Sequence, residues 1–367
     1  MKKLIAFLLT VLMVVALFAG CAPAADGTPD ADEDKTLSTS DKDDPKTDEK
    51  EPDAAKKQLK AAFVTPQRLG DEGPVDLIYS GVERASKEYN IDLAVVEAQA
   101  GEYEESMRAM IAEGCTLIVT VFPEVADAVA TVSKEYPDID FIHAVSSTIG
   151  DNVAAAGCMY EDSAFVMGAL AAKLTKKNKL GFITGVDNAD GQAYYNGFVE
   201  GVQYVNPEIT DISYNAIGDF EDAVTAKEIA LTNYNAGCDV IFSGGGKNIF
   251  GIMEAVNEMG DGYYYLSCSG DYTTKEFSDG RIPGCHVEDW PTALYDLVVK
   301  WAKGDFEAEM VALQLKNGYF YCKLADEADC HIDQEVRDFV VEVAEKIKSG
   351  EIVTSMPTLE EYTNYIQ

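Results

Sequence analysis

Basic side chains are scarce in this chain of 367 residues, which has 29 Lys and Arg against 64 Asp and Glu and a net charge of −35. Duplex binding runs on lysine and arginine, so nucleic-acid recognition is excluded, and an anionic lipid surface would repel the protein for the same reason. Histidine is scarcer still. His143, His286 and His331 are far apart, and no two share ligand spacing on one helix, so no metal site is expected. A Gly-x-Ser-x-Gly elbow, a Cys-x-x-Cys pair and a dinucleotide fingerprint are all missing, which removes the usual signatures of serine hydrolases, thiol oxidoreductases and nicotinamide enzymes. Neither catalysis nor a cofactor is therefore expected. No repeat of 20 to 50 residues is evident, so a solenoid is unsupported.

Long hydrophobic runs are also lacking. The one extended apolar stretch, Leu4 to Phe18, is shorter than the roughly 20 residues that a spanning helix needs. Lys2 and Lys3 precede it and Ala19-Gly20-Cys21 follows, the layout of a secretory signal peptide over residues 1–20. Leu17-Phe18-Ala19-Gly20-Cys21 resembles the bacterial lipobox, which implies that Cys21 is lipidated and anchors the protein to the membrane. Residues 22–58 hold 12 acidic and 6 basic side chains and Leu37 as their one large apolar residue, too little to offset the entropy of ordering them. Residues 21–58 read as a lipidated cysteine followed by a disordered tether, and nearly all the negative charge belongs to the chain beyond it.

From Leu59 onward, β-branched runs alternate with helical patterns. Strands are expected at Lys60–Thr65, Ile91–Glu97, Thr116–Val121, Asp140–Ala144 and Val153–Ala156, with helices at Leu77–Tyr89, Tyr103–Glu113 and Glu124–Glu135 between them. The series then restarts with strands at Lys179–Thr184, Asp211–Ala216, Asp239–Ser243 and Tyr263–Cys268, separated by helices at Gln192–Val205, Phe220–Asn235 and Phe250–Met259. Strand, helix, strand in series means parallel sheets with right-handed crossovers, and two series mean two α/β lobes. Ligands of such sheets sit beyond the carboxyl ends of the strands. The loops there, Pro66–Pro74, Phe122–Glu124, Gly185–Gly191, Gly244–Asn248 and Ser269–Thr274, are polar or glycine-containing. Two lobes facing each other through them would form a cleft for a small ligand.

Specific strings then resemble the basic membrane protein family of substrate-binding lipoproteins, whose characterised members bind purine nucleosides for ABC transporters. They are Phe165–Gly201, Asn206-Pro207-Glu208, Gly218-Asp219-Phe220-Glu221-Asp222, Gly237–Phe242 and Glu135-Tyr136-Pro137-Asp138. The resemblance implies a type I periplasmic-binding-protein fold, two Rossmann-like lobes with parallel sheets joined by three hinge crossings. The first lobe would comprise residues 59–158 plus 287–310 and the second 159–286 plus 311–367. It also implies a small-molecule ligand, an ABC permease as partner, membrane contact through the lipid alone, and a monomer.

Carried over residue by residue, the resemblance places Asp71, Asp76 and Tyr79 in the cleft after the first strand, and Phe122 and Asp127 after the third. In the second lobe it makes Tyr194 a stacking ring, puts Gly246, Lys247 and Asn248 at a ligand-facing helix start, and brings Ser269, Asp271 and Asp289 to where the family offers an aspartate and a lysine. A cleft with these carboxylates and few cations favours ligands that donate hydrogen bonds or carry positive charge. A ligand sensor on the same fold, or a surface α/β enzyme, are the other readings. Seven cysteines remain beyond Cys21, an odd number, with Cys322 and Cys330 the best candidate pair for a disulfide.

Overall fold

A computed structural model describes residues 58–70 and 74–357. The signal peptide, Cys21, the tether and Asp71 lie outside the described residues. The first half runs β1 (Lys60–Thr65), α1 (Pro74–Glu88), β2 (Asp92–Glu97), α2 (Tyr103–Ala112), β3 (Leu117–Val121), α3 (Ala126–Glu135), β4 (Asp140–Ala144) and β5 (Val153–Cys158). The chain then crosses and repeats the scheme as α4 (Glu161–Leu174), β6 (Lys179–Thr184), α5 (Ala189–Val205), β7 (Asp211–Ala216), α6 (Ala223–Asn235), β8 (Val240–Gly244), α7 (Asn248–Met259), β9 (Tyr264–Leu266), α8 (Lys275–Ser278) and β10 (Gly284–Glu288). It returns through α9 (Trp290–Lys303) and β11 (Met310–Leu313), and finishes with β12 (Phe320–Leu324) and α10 (Gln334–Ser349).

Six strands form the first sheet in the order β11-β5-β4-β3-β1-β2, and four form the second as β7-β6-β8-β9, all parallel. β10 pairs with β12 in an antiparallel ribbon, joined to the second sheet by a bridge from Ser267 to Cys285. Residues 311–313, expected in the second lobe, instead belong to the first sheet, because β11 pairs with β5 along Met310–Leu313. The chain thus passes between lobes at residues 159–160, at Asp289 and at residues 314–319.

Both faces of the first sheet's inner strands are covered, which explains why β3 and β5 are largely apolar and buried along their length while the edge strand β2 is not. Ala61 and Phe63 of β1 pack with Ile78 and Val82 of α1 and Leu294 and Val298 of α9, while Ala62 and Val64 face Met107, Val129 and Val132 of α2 and α3. In the second lobe α4 and α5 make the tightest helix contact. A methyl group placed on Gly201 would lie 1.9 Å from the carbonyl oxygen of Phe165, and one on Gly197 would lie 2.3 Å from that of Glu161. The glycine spacing in the Phe165–Gly201 string is therefore a packing requirement of these two helices.

The seven described cysteines are free thiols. Cys322 faces the Ser163 carbonyl at 3.6 Å, whereas Cys330 packs with Ala325 and Ile332, so the expected pair point into different clusters and form no bridge. Among the described residues no helix is long and apolar enough to cross a membrane.

Substituting Gly201→Ala should force α4 and α5 apart and cost about 1–3 kcal/mol or more, read as a lower urea midpoint with an unchanged slope. An unaltered midpoint would contradict the close packing.

Candidate functional site

In each sheet the first strand of its lobe lies between the second and the third, so the chain reverses its direction of winding between β1 and β3 and between β6 and β8. Such switch points open a crevice at the carboxyl ends of the strands. An aromatic ring stands at each. Phe122 directly follows β3 with φ 75° and ψ 149°, a conformation close to glycine-only territory that costs about 1–3 kcal/mol in other residues. Two hydrogen bonds hold it there: its N–H donates to the Ala144 carbonyl at 2.9 Å, and its carbonyl oxygen lies 2.9 Å from Nε2 of buried His143.

Phe220 marks the second switch point. It lies on the loop after β7, is 41% exposed, and rests on a shelf of glycines at the ends of β6 and β8. A methyl group on Gly185 would lie 2.2 Å from the ring, and one on Gly246 would lie 2.3 Å from the Phe220 carbonyl oxygen. The loop is fastened from below: the Lys247 N–H donates to the Phe220 carbonyl at 2.8 Å, Lys247 Nζ pairs with Glu221 at 2.8 Å, and Asn248 Nδ2 donates to the Asp219 carbonyl at 2.8 Å.

Strain recurs on this rim. Of the six non-glycine residues with positive φ among the described residues, Asn90, Asn178 and Asp279 are of the types that tolerate it. The other three, Phe122, Val145 and Ser269, follow the ends of β3, β4 and β9. Strained residues of this kind concentrate at binding sites.

The crossings supply the polar part. Glu288, the last residue of β10, accepts from Trp290 Nε1 at 3.1 Å, and Ser269 Oγ lies 3.5 Å from its other oxygen. Burial pushes its carboxyl up to about 7, and Asp190 in the first turn of α5 adds to the rise. Asp190 is itself raised by desolvation although solvent reaches it, as a carboxylate facing a protein-walled crevice would be. Tyr160, in the first crossing, stacks on Phe320 with centroids 5.6 Å apart and lies 4.7 Å from Tyr194. The Tyr194 hydroxyl hydrogen-bonds Nδ1 of His286, whose burial holds its titration down at about 3.

Several expected site residues therefore stand in different roles from those implied. Tyr194 is 4% exposed and enclosed by Tyr160, Phe242 and His286, and the exposed ring at that lobe's switch point is Phe220. Asp289 caps α9, its Oδ1 accepting from the Thr292 N–H at 3.1 Å, and the carboxyl held in the crevice is its neighbour Glu288. Asp271 is exposed and ties its own turn through Thr273. Asp76 accepts from the Gly70 N–H at 2.8 Å and so closes the loop after β1. Tyr79 is half-buried against Phe63, with ring centroids 5.3 Å apart. Asp127 is exposed on the first turn of α3. Ser269 meets Glu288 through its hydroxyl. Phe220 was legible as one letter of a matched string, and the three glycines beneath it were the signal of a ring seated there.

A cavity of about 260 Å³ bordered by Asp296, Lys300, Gln314 and Tyr319 lies beside the third crossing and includes no rim residue. No group of three His, Cys, Asp or Glu able to hold a metal ion occurs among the described residues.

Two α/β lobes of parallel sheet, each with a switch point, form the fold of the periplasmic-binding-protein class. A solute-binding protein of an ABC transporter system from Aeropyrum pernix superposes with a TM-score of 0.69 at 20% identity, over 84% of this chain and 96% of that one. Residues 58–356 match the family model described as "ABC transporter substrate-binding protein PnrA-like", and the chain belongs to that family, also called Bmp. Basic membrane protein A1 of Borrelia garinii is 26% identical over 216 residues, 58% of this chain and 64% of that protein, so the chain spans just under two thirds of that relative's length. The protein of Lactococcus lactis named ABC transporter nucleoside-binding protein BmpA is 28% identical over 320 residues, 81% of this chain and 89% of its own. The family model describes substrate-binding proteins of ABC transporters, and the Borrelia relatives carry the name basic membrane protein.

Glu288 makes stability depend on pH. An unfolded glutamate titrates near 4.5, so between 4.5 and about 7 the folded protein binds the extra proton and stability falls as pH rises. Glu288→Gln removes that loss. The variant should gain about 1–3 kcal/mol on the parent between pH 5 and pH 8, followed by thermal denaturation at both values. An equal difference at the two would contradict a buried carboxyl at this position.

Proposed function

We propose that the protein is a receptor of an ABC importer, anchored through a lipidated Cys21, that captures a small polar solute between its lobes and delivers it to a permease. A purine nucleoside or a related planar compound is the solute class. The observation that carries this reading is the pair of rings at the switch points, Phe122 on a strained backbone and Phe220 on its glycine shelf. A base offers a π-face to such a ring, and stacking contributes about 1–3 kcal/mol per base in single-strand binders. The name of the Lactococcus relative supports the nucleoside class. Capture would proceed by hinge closure about the three crossings, bringing the two rims together over the solute.

Titration calorimetry with adenosine, guanosine and inosine tests the assignment. At least one should bind, and Phe220→Ala should weaken it by roughly ten- to a hundredfold, as loss of a stacking face does. Thermal stabilisation by a different solute class, with none from any nucleoside or nucleobase, would discard the purine and keep the receptor.

A further inference from the structure

Glu288 is the rim carboxylate held most deeply, and among the described residues no cation pairs with it. The groups that act on it are Trp290 and Ser269, which donate to it, and Asp190, which repels it. Asp190 is acted on by desolvation. A carboxylate has about four acceptor positions, and the two donors leave capacity on both oxygens. Burying an ionised carboxyl without a counter-charge is costly, and among the described residues Glu288 meets donors but no positive charge.

A second, independent feature lies beside it. His286 is two residues earlier on β10, so the two side chains leave the strand on the same face. His286 is fully buried, its Nδ1 is engaged by Tyr194, and its Nε2 has no hydrogen-bond partner. An orphaned polar atom in that position points to a group that the protein itself does not provide.

We propose that Glu288, assisted by Asp190, is the specificity-determining residue of the cleft, and that the solute it selects carries a protonated nitrogen held against these carboxylates. This rests on the receptor reading above and narrows it from small polar solutes to cationic ones. The chain's charge of −35 favours the encounter, since a negative field gathers cations toward the site. Titratable groups that face Glu288 are Asp190 from α5, Tyr160 and Cys158 at the first crossing, Cys268 after β9, Tyr272, Tyr194, and His286 on its own strand, which burial keeps neutral. None of them is a cation. Protonating Glu288 would therefore weaken capture.

The test uses adenosine and 1-methyladenosine, which share a sugar and ring system while the second is positively charged at neutral pH. Intact protein should bind 1-methyladenosine at least about tenfold more tightly, Glu288→Gln should erase the preference, and the cation's affinity should fall about tenfold between pH 8 and pH 6. Equal affinity for the two nucleosides, or a preference that survives Glu288→Gln, overturns the proposal and leaves the receptor intact. Should neither nucleoside bind, the purine reading falls, and agmatine, a cation without a purine, decides the matter. Agmatine binding lost in Glu288→Gln supports the proposal, and no agmatine binding overturns it.

Discussion

The aromatic cluster at the crossings is the constraint on which the site depends. Tyr160 comes from the first crossing, His286 from the strand that leads into the second, and Phe320 from the end of the third. The rings of Tyr160 and Phe320 stack at 5.6 Å, and His286 meets Phe320 edge-on at 4.7 Å. Each such contact adds about 0.5–1.5 kcal/mol beyond the area it buries. Without this cluster three separate strands of chain would cross between lobes independently. With it they are joined by ring contacts at one place, the pivot of the proposed closure.

That arrangement divides the labour of binding. Glu288 stands next to the pivot, so a hinge motion displaces it little, and it can read charge in the open and the closed state alike. Phe122 and Phe220 stand on the rims, where the same rotation produces the largest displacement. A ring that must meet a solute after closure has to be fixed in advance, because ordering it on binding would consume affinity. The protein fixes Phe122 by a strained backbone clamped through His143, and Phe220 by glycines and the Lys247 and Asn248 contacts.

Much of the fold was legible because its parallel strands are buried on both faces. β1, β4, β6 and β7 have the limits that their β-branched runs predict. β10, β11 and β12 lie outside the two strand–helix series and their partners are distant in sequence, so periodicity gives no reason to pair residues 311–313 with the first sheet. The site was less legible for a local reason. Tyr194 and Phe220 both neighbour glycines, and only packing decides that one ring is enclosed by Tyr160, Phe242 and His286 while the other keeps a face in solvent. Glu288 and Asp289 are adjacent carboxylates, yet the second turns to cap α9 and the first remains at the end of β10. Residue type does not distinguish such neighbours, whereas backbone direction does.

The account stands on a solute held at the rim between Phe220 and Glu288. The most direct measurement is a crystal structure of the protein with the small molecule that co-purifies with it, identified by mass spectrometry. The account predicts a planar ring against Phe220 and a nitrogen within hydrogen-bond distance of the Glu288 carboxyl. A solute seated instead in the cavity beside Asp296 and Tyr319, with the rim untouched, would contradict it.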